Sequence, residues 1–160
     1  MSSETNSFAA APTQETPVVA LTLPKSSDLT KAIWATGRRK TAIAQVRLTA
    51  SKNASKISVN QLSLDGYFKG NHHQAMVATQ SLQLINNFSG YDLLIRVKGG
   101  GISGQAEAIR HGIARALSHL DVKVKQKMRK EGYLTRDSRA VERKKSGQPK
   151  ARKRFQYSKR

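Results

Sequence analysis

From Tyr91 to Leu120 the chain reads YDLLIRVKGGGISGQAEAIRHGIARALSHL. Its first residues alternate. Leu93, Ile95 and Val97 share one side, and Asp92, Arg96 and Lys98 the other, the period of a half-buried strand. The period then changes. Ala106, Ile109, Ile113, Ala116, Leu117 and Leu120 recur at helical spacing and form one apolar stripe. Gly99, Gly100 and Gly101 join the two elements. Gly112, inside the helix, costs about 1 kcal/mol against alanine. Its presence there predicts close packing, against the sheet.

Working upstream, Ala42–Thr49 alternates in the same way. Ala42, Ala44, Val46 and Leu48 face one side, and Ile43, Gln45, Arg47 and Thr49 the other. The basic cluster GRRK, Gly37–Lys40, stands at the opening of this strand. A polar loop, ASKNASK, leads to ISVN (Ile57–Asn60), read as a returning strand that makes a hairpin with the first. Asp65-Gly66 marks a turn. A helix is expected over His72–Ile85, with Asn71 as its cap and Gln74 three residues later in a capping-box pattern. Downstream, a short basic helix is expected from about Val122 to Glu131, with Val124 and Met128 as a thin apolar seam and Gly132 as its stop. Beyond Leu134 the chain has almost no apolar residues.

The charge is large and uneven. The 160 residues hold 29 Lys+Arg and 10 Asp+Glu, a net +19. Val122–Arg160 carries 16 basic and 3 acidic residues, +13; Met1–Asp121 carries 13 and 7, +6. A concentration of this kind draws a protein to a polyanion and favours nucleic acid. Three parts are expected: a disordered N-terminal extension over 1–31, a globular domain over 32–121, and a basic helix with an extended RNA-binding tail over 122–160. There is no cysteine, which excludes disulfides and thiolate zinc sites and fits a reducing compartment. The first thirty residues lack the make-up of a secretory signal or a transit peptide. Apolar runs are too short to span a membrane, and the tail has no apolar face to lie on one.

The glycine loop invites a phosphate, because a helix start offers free N–H groups and a positive dipole end. A tight strand-to-helix turn is the commoner meaning of such a loop. A nucleotide enzyme needs more: Gln105 follows Gly104 where a P-loop has Lys-Ser/Thr, and Asp121 has no second strand to carry it. His72 and His73 are adjacent, and His111 and His119 are eight apart, so neither pair suits a metal. Solvated or nucleic-acid-facing histidines fit better. No catalytic set can be assembled, and no cofactor or metal is implied.

The basic residues suit RNA. Arg38, Arg39 and Lys40 form one cluster; Arg136, Arg139, Arg143, Lys144 and Lys145 continue it, with Asp137 and Glu142 placed to orient neighbouring arginines. Gly147 and Pro149 interrupt the run, so it cannot be one helix. The chain closes with KARKRFQYSKR, where Lys150, Arg152, Lys153 and Arg154 precede two aromatics, Phe155 and Tyr157, suited to stacking. No zinc finger, basic zipper or helix-turn-helix is visible.

Three motifs in order, GRRKTAIAQVRL, GGGISGQAEAIRHGIARAL and GYLTRDSRAVERKKSGQPKARKRFQYSKR, resemble the bacterial-type family of small-subunit ribosomal protein number nine, over about Trp34–Arg160. The resemblance implies an α+β fold, a small mixed β-sheet packed by helices, related to one found in some ribosomal and ATP-binding proteins. It implies a non-enzymatic constituent of the small-subunit head, in the cytoplasm, with ribosomal RNA and other head proteins as partners and no small-molecule substrate. Ribosomal RNA would be held by Arg38, Arg39, Lys40, Gly99, Gly100, Gly101, Gln105, Arg136, Arg139, Arg143, Lys144, Lys145, Lys150, Arg152, Lys153, Arg154 and Tyr157. Ser158, Lys159 and Arg160 would approach the anticodon stem-loop of peptidyl-site tRNA. Residues 1–31, the loop ASKNASK and Phe155, where proline is common, depart from the family pattern. A free RNA-binding or assembly factor, and a small-molecule kinase using the glycine loop, are the alternatives.

Overall fold

Ala42, Ala44, Val46 and Leu48 are fully buried, while Ile43, Gln45 and Arg47 face out of the domain. The computed structural model in which this alternation is seen describes residues 32–51, 55–85, 88 and 90–158. The elements are β1 (Ile33–Arg39), β2 (Ala42–Ala50), β3 (Ile57–Val59), β4 (Leu62–Ser63), α1 (Leu64–Tyr67), α2 (His72–Gln83), β5 (Tyr91–Lys98), α3 (Ile102–Leu117) and α4 (Val122–Lys130). The strands make one mixed sheet in the order β1-β2-β5-β3-β4. β1, β2 and β5 are antiparallel neighbours, β3 runs parallel to β5, and β4 folds back on β3. α3 lies on β1 and β2, and α2 and α4 pack against α3. This is the expected α+β fold, a small mixed sheet packed by helices.

The core forms where the two periods meet. Leu93, Ile95 and Val97 of β5 face Ala106, Ile109, Ile113, Ala116 and Leu117 of α3, all buried. Full burial of each large aliphatic side chain among them stabilises the fold by about 1.5–3 kcal/mol. Two glycines set how close the layers come. A Cβ on Gly112 would stand 2.7 Å from Val46 Cγ2 and 3.2 Å from the Gly37 nitrogen. One on Gly37 would collide with the Ala108 carbonyl and the Gly112 backbone. β1 and α3 therefore touch backbone to backbone, as Gly112 predicts.

The helix ends follow their sequence signals. The Asn71 side chain accepts from the Gln74 N–H at 3.4 Å, but the Asn71 N–H goes to the Phe68 carbonyl at 3.0 Å, so only one half of a capping box forms. Asp121 caps α4 by accepting from the Lys123 N–H, and Val124 and Met128 bury its seam in the same core. Gly132 (φ +76) closes α4: its N–H reaches the Arg129 carbonyl and the Tyr133 N–H the Met128 carbonyl, a Schellman motif.

Two expectations are corrected. β2 and β3 do not form a hairpin. β5 lies between them, paired with β2 over eight residues, whereas β3 offers only three. The longer alternating strand buries more and takes the central place. The basic cluster also does not open the first strand. Ile33–Arg39 is itself a strand, paired with β2 from Ile33↔Leu48 to Arg39↔Ala42, and the cluster is the tip of that hairpin. Its turn is Lys40-Thr41, with Lys40 at φ +50. The Asp65-Gly66 signal falls in the single turn α1, capped by the Ser63 hydroxyl. Residues 1–31 lie outside the described residues, as do residues 52–54 of the polar loop.

Candidate nucleic-acid interface

β1 is an edge strand, and an edge leaves N–H and C=O groups without partners. α3 supplies them. The Arg38 N–H donates to His111 Nδ1 at 3.3 Å, and Arg115 Nη1 donates to the Thr36 carbonyl at 2.5 Å. His111 and Arg115 are one helical turn apart, so both reach the same edge. His111 is thus a half-buried acceptor inside the fold, which corrects its reading as solvated or RNA-facing; His72, His73 and His119 are exposed. Burial, and then the Arg115 charge, lower the His111 pKa below the ordinary imidazole value and keep it neutral, as its acceptor role requires.

The alternation of β1 separates its two arginines. Arg38 points from the open side of the sheet and is exposed; Arg39 points to the helix side, only 12% exposed. Arg39 Nε donates to Glu107 of α3, and its Nη1 reaches Asp137 Oδ1 and the Arg139 carbonyl, each at 3.0 Å. Asp137 also accepts from the Arg139 N–H and side chain, at 2.7–3.1 Å. Those hydrogen bonds, with the Arg139 and Arg39 charges behind them, hold Asp137 well below the usual carboxylate range. Nearby, the Arg110 guanidinium lies 5.4 Å over the Tyr133 ring. Residues 133–139 are therefore anchored on α3 and on Arg39 at the end of β1.

The glycine loop lies beside the same turn. Gly99 and Gly100 have φ near +70, and a Cβ on either would press on the Thr41 carbonyl or on Ala42, each at 2.8 Å. Gln105 pins the loop: its Nε2 donates to the Gly99 carbonyl at 3.2 Å, and its Oε1 accepts from the Tyr67 hydroxyl at 3.0 Å. These contacts explain the glycines as a close backbone approach. α3 starts at Gly101 without a side-chain cap, and residues 99–103 are exposed. Arg38, Lys40, Gly99, Gly100 and Gly101 thus share one corner of the domain.

Beyond Asp137 the contacts thin out. Glu142 accepts from Lys145 Nζ at 2.9 Å and Arg152 Nε at 2.8 Å, which lower its pKa in that order, and Gly147 (φ +69) turns the chain between them. Arg136, Arg143, Lys144, Lys150, Lys153 and Arg154 are exposed and pair with no carboxylate among the described residues. Phe155 and Tyr157 are 74% and 86% exposed. Ser158 is exposed; Lys159 and Arg160 lie outside the described residues.

Sequence reasoning missed Glu107, His111, Arg115 and Arg110 as positioning residues. A signal existed for two of them: His111 and Arg115 share one α3 face beside Gly112, which marks the face touching β1. Among the described residues no cluster of metal-ligating side chains occurs, and no helix is long and apolar enough to cross a membrane.

Residues 37–160 match the family described as ribosomal protein S9/S16. The small ribosomal subunit protein uS9 of Sorangium cellulosum is 53% identical over 127 residues, 79% of this chain and 95% of that protein. The protein of the same name from Amoebophilus asiaticus is 52% identical over 128 residues, 80% of this chain and 98% of its own. The chain therefore belongs to the ribosomal protein S9/S16 family, structural and non-catalytic proteins of the small ribosomal subunit.

Proposed function

We propose that this chain holds ribosomal RNA in the small-subunit head, beside other head proteins in the cytoplasmic ribosome, and extends its C-terminus to peptidyl-site tRNA. The observation that carries the reading is the contrast along the last third of the chain. Residues 133–139 are fastened to the domain, and the cations that follow face outward with few acids to satisfy them. A cation in that state gains most from a phosphate.

Roles divide accordingly. Arg38 and Lys40, with the glycines at the start of α3, form one RNA contact on the domain. Arg136, Arg139, Arg143, Lys144, Lys145, Lys150, Arg152, Lys153 and Arg154 form the tether, with Tyr157 stacking at its end. Arg39 and Gln105 serve the contact by holding the tail root and the loop in place. Ser158, Lys159 and Arg160 meet the tRNA.

The test is deletion of Ser158–Arg160 in the host, followed by isolation of small subunits. Normal incorporation with weaker peptidyl-site tRNA binding, or looser start-site selection, is expected. Incorporation lost in proportion to tRNA binding, or tRNA binding left unchanged, would overturn the assignment of those three residues.

A further inference from the structure

Among the described residues the helices cover one face of the sheet and leave the other open. Strand register lays that face out in rows. Trp34, Arg47 and Leu94 stand across β1, β2 and β5 in one row, Thr36, Gln45 and Arg96 in the next, and Arg38, Ile43 and Lys98 in the third. Trp34 is 61% exposed and Leu94 48%. The Arg47 guanidinium lies 5.5 Å over the Trp34 ring. A groove of about 390 Å³ runs between these side chains and the β3–β4 end of the sheet.

The chemistry of the face is one-sided. Arg38, Arg47, Arg96 and Lys98 point from it, and none pairs with a carboxylate among the described residues. Among the described residues its one acid, Asp92, is engaged by the Lys56 N–H at 2.9 Å. On the helix side, by contrast, Arg39 meets two carboxylates. A large exposed aromatic among unpaired cations answers to a base and its phosphates. A lipid surface would need more apolar area, and an acidic protein segment has no need of the ring-and-guanidinium stack.

We infer that this open sheet face is a second RNA-binding surface, in which an unpaired nucleotide lies against Trp34 and Arg47 while Arg96 and Lys98 hold its phosphates. The inference rests on the proposed RNA-binding role; the face borders the glycine corner at Arg38 and Lys98 and uses none of the tail residues.

Trp34 is the sole tryptophan of the chain and reports directly. The full-length protein is titrated with a transcript of small-subunit ribosomal RNA, and Trp34 emission and its quenching by iodide are followed. Binding should change the emission and protect Trp34 from iodide. The variant carrying Arg47→Gln, Arg96→Gln and Lys98→Gln should keep its melting temperature and lower the slope of log Kd against log salt by about two. RNA bound with Trp34 emission, iodide access and the variant's salt slope all unchanged overturns the inference and leaves the tail reading standing. No RNA bound by the wild-type chain overturns the proposed function itself. Trp34 shielded in the free chain but exposed after deletion of residues 1–31 would give the face to the chain's own N-terminal segment. Trp34 protected in whole subunits but not by RNA alone would give it to a protein. Either result overturns the inference. The wild-type emission test stands even if the triple variant fails to fold.

Discussion

Arg39 and Arg154 are both arginines in basic clusters, and they stand in opposite surroundings. Arg39 is nearly buried, with Glu107 and Asp137 on its guanidinium. Arg154 is exposed and pairs with no carboxylate among the described residues. The difference lies in neighbours and not in the residue. On the helix side of the sheet Arg39 is matched to two acids, so its charge serves the fold. Past Asp137 acids become scarce, and most of the charge is left without a carboxylate among the described residues. Loss of the first kind should cost stability, and loss of the second should cost RNA affinity.

Four measurements can break or sharpen that contrast. The largest effect belongs to Gly37→Val. Its side chain would enter the backbone of α3 at Ala108 and Gly112, which cannot give way. We expect a loss of at least about 3 kcal/mol in denaturant unfolding. A melt within error of wild type would mean that β1 and α3 are not in backbone contact.

Next is Arg39→Ala, which leaves Glu107 and Asp137 without their shared cation. A loss of about 1–3 kcal/mol is expected. RNA affinity should fall less than for a tail variant, because Arg39 acts by holding residues 137–139. An unchanged melt with strongly weakened RNA binding would move Arg39 into the direct-contact class.

The mirror experiment changes Arg152, Lys153 and Arg154 together to Gln. Unfolding should stay within about 0.5 kcal/mol of wild type, since the pairing of Arg152 with Glu142 is a surface one. The slope of log Kd against log salt should fall by about two. A large drop in stability would contradict the division of labour.

The smallest effect is a pH dependence. The folded pKa of His111 is lowered by burial, so the unfolded chain takes up the proton first. The stability contributed by neutral His111 is present above the unfolded value of about 6.5. It is lost as pH falls below that value towards the folded one, where Nδ1 would no longer accept from the Arg38 N–H. The thermal midpoint should therefore drop between pH 7.5 and 5.5. The His111→Phe variant should be less stable but lack that slope. An equal slope in both would assign the dependence elsewhere.

How much of this was legible in the sequence depended on side-chain period. β2, β5, α3 and α4 were legible because their apolar residues repeat at strand or helix spacing. Gly112 announced close packing because a helix tolerates glycine poorly without a reason. β1 was not read as a strand, since Gly37 and Arg39 occupy inward positions where an apolar residue would have signalled it. The β3–β4 hairpin was hidden because Asn60 and Gln61 take positive φ, and Gln is not the glycine such a turn favours. Pairing order was not legible, because β3 and β5 come together only through their separation across the intervening α2. The tail's basic character was open to view from composition. The partners of Arg39 were not, for Glu107 and Asp137 lie 68 and 98 positions away in the chain and meet only in the fold.

The most direct test is truncation after Ala140. The shortened chain keeps α4, the Schellman turn and the Asp137–Arg39 contacts, and loses the outward-facing cations beyond them. It should melt at the temperature of the full chain and bind small-subunit ribosomal RNA at least about tenfold more weakly, with a shallower salt dependence. A truncated chain that unfolds, or one that binds as tightly as the full chain, would contradict the separation of fold and RNA binding.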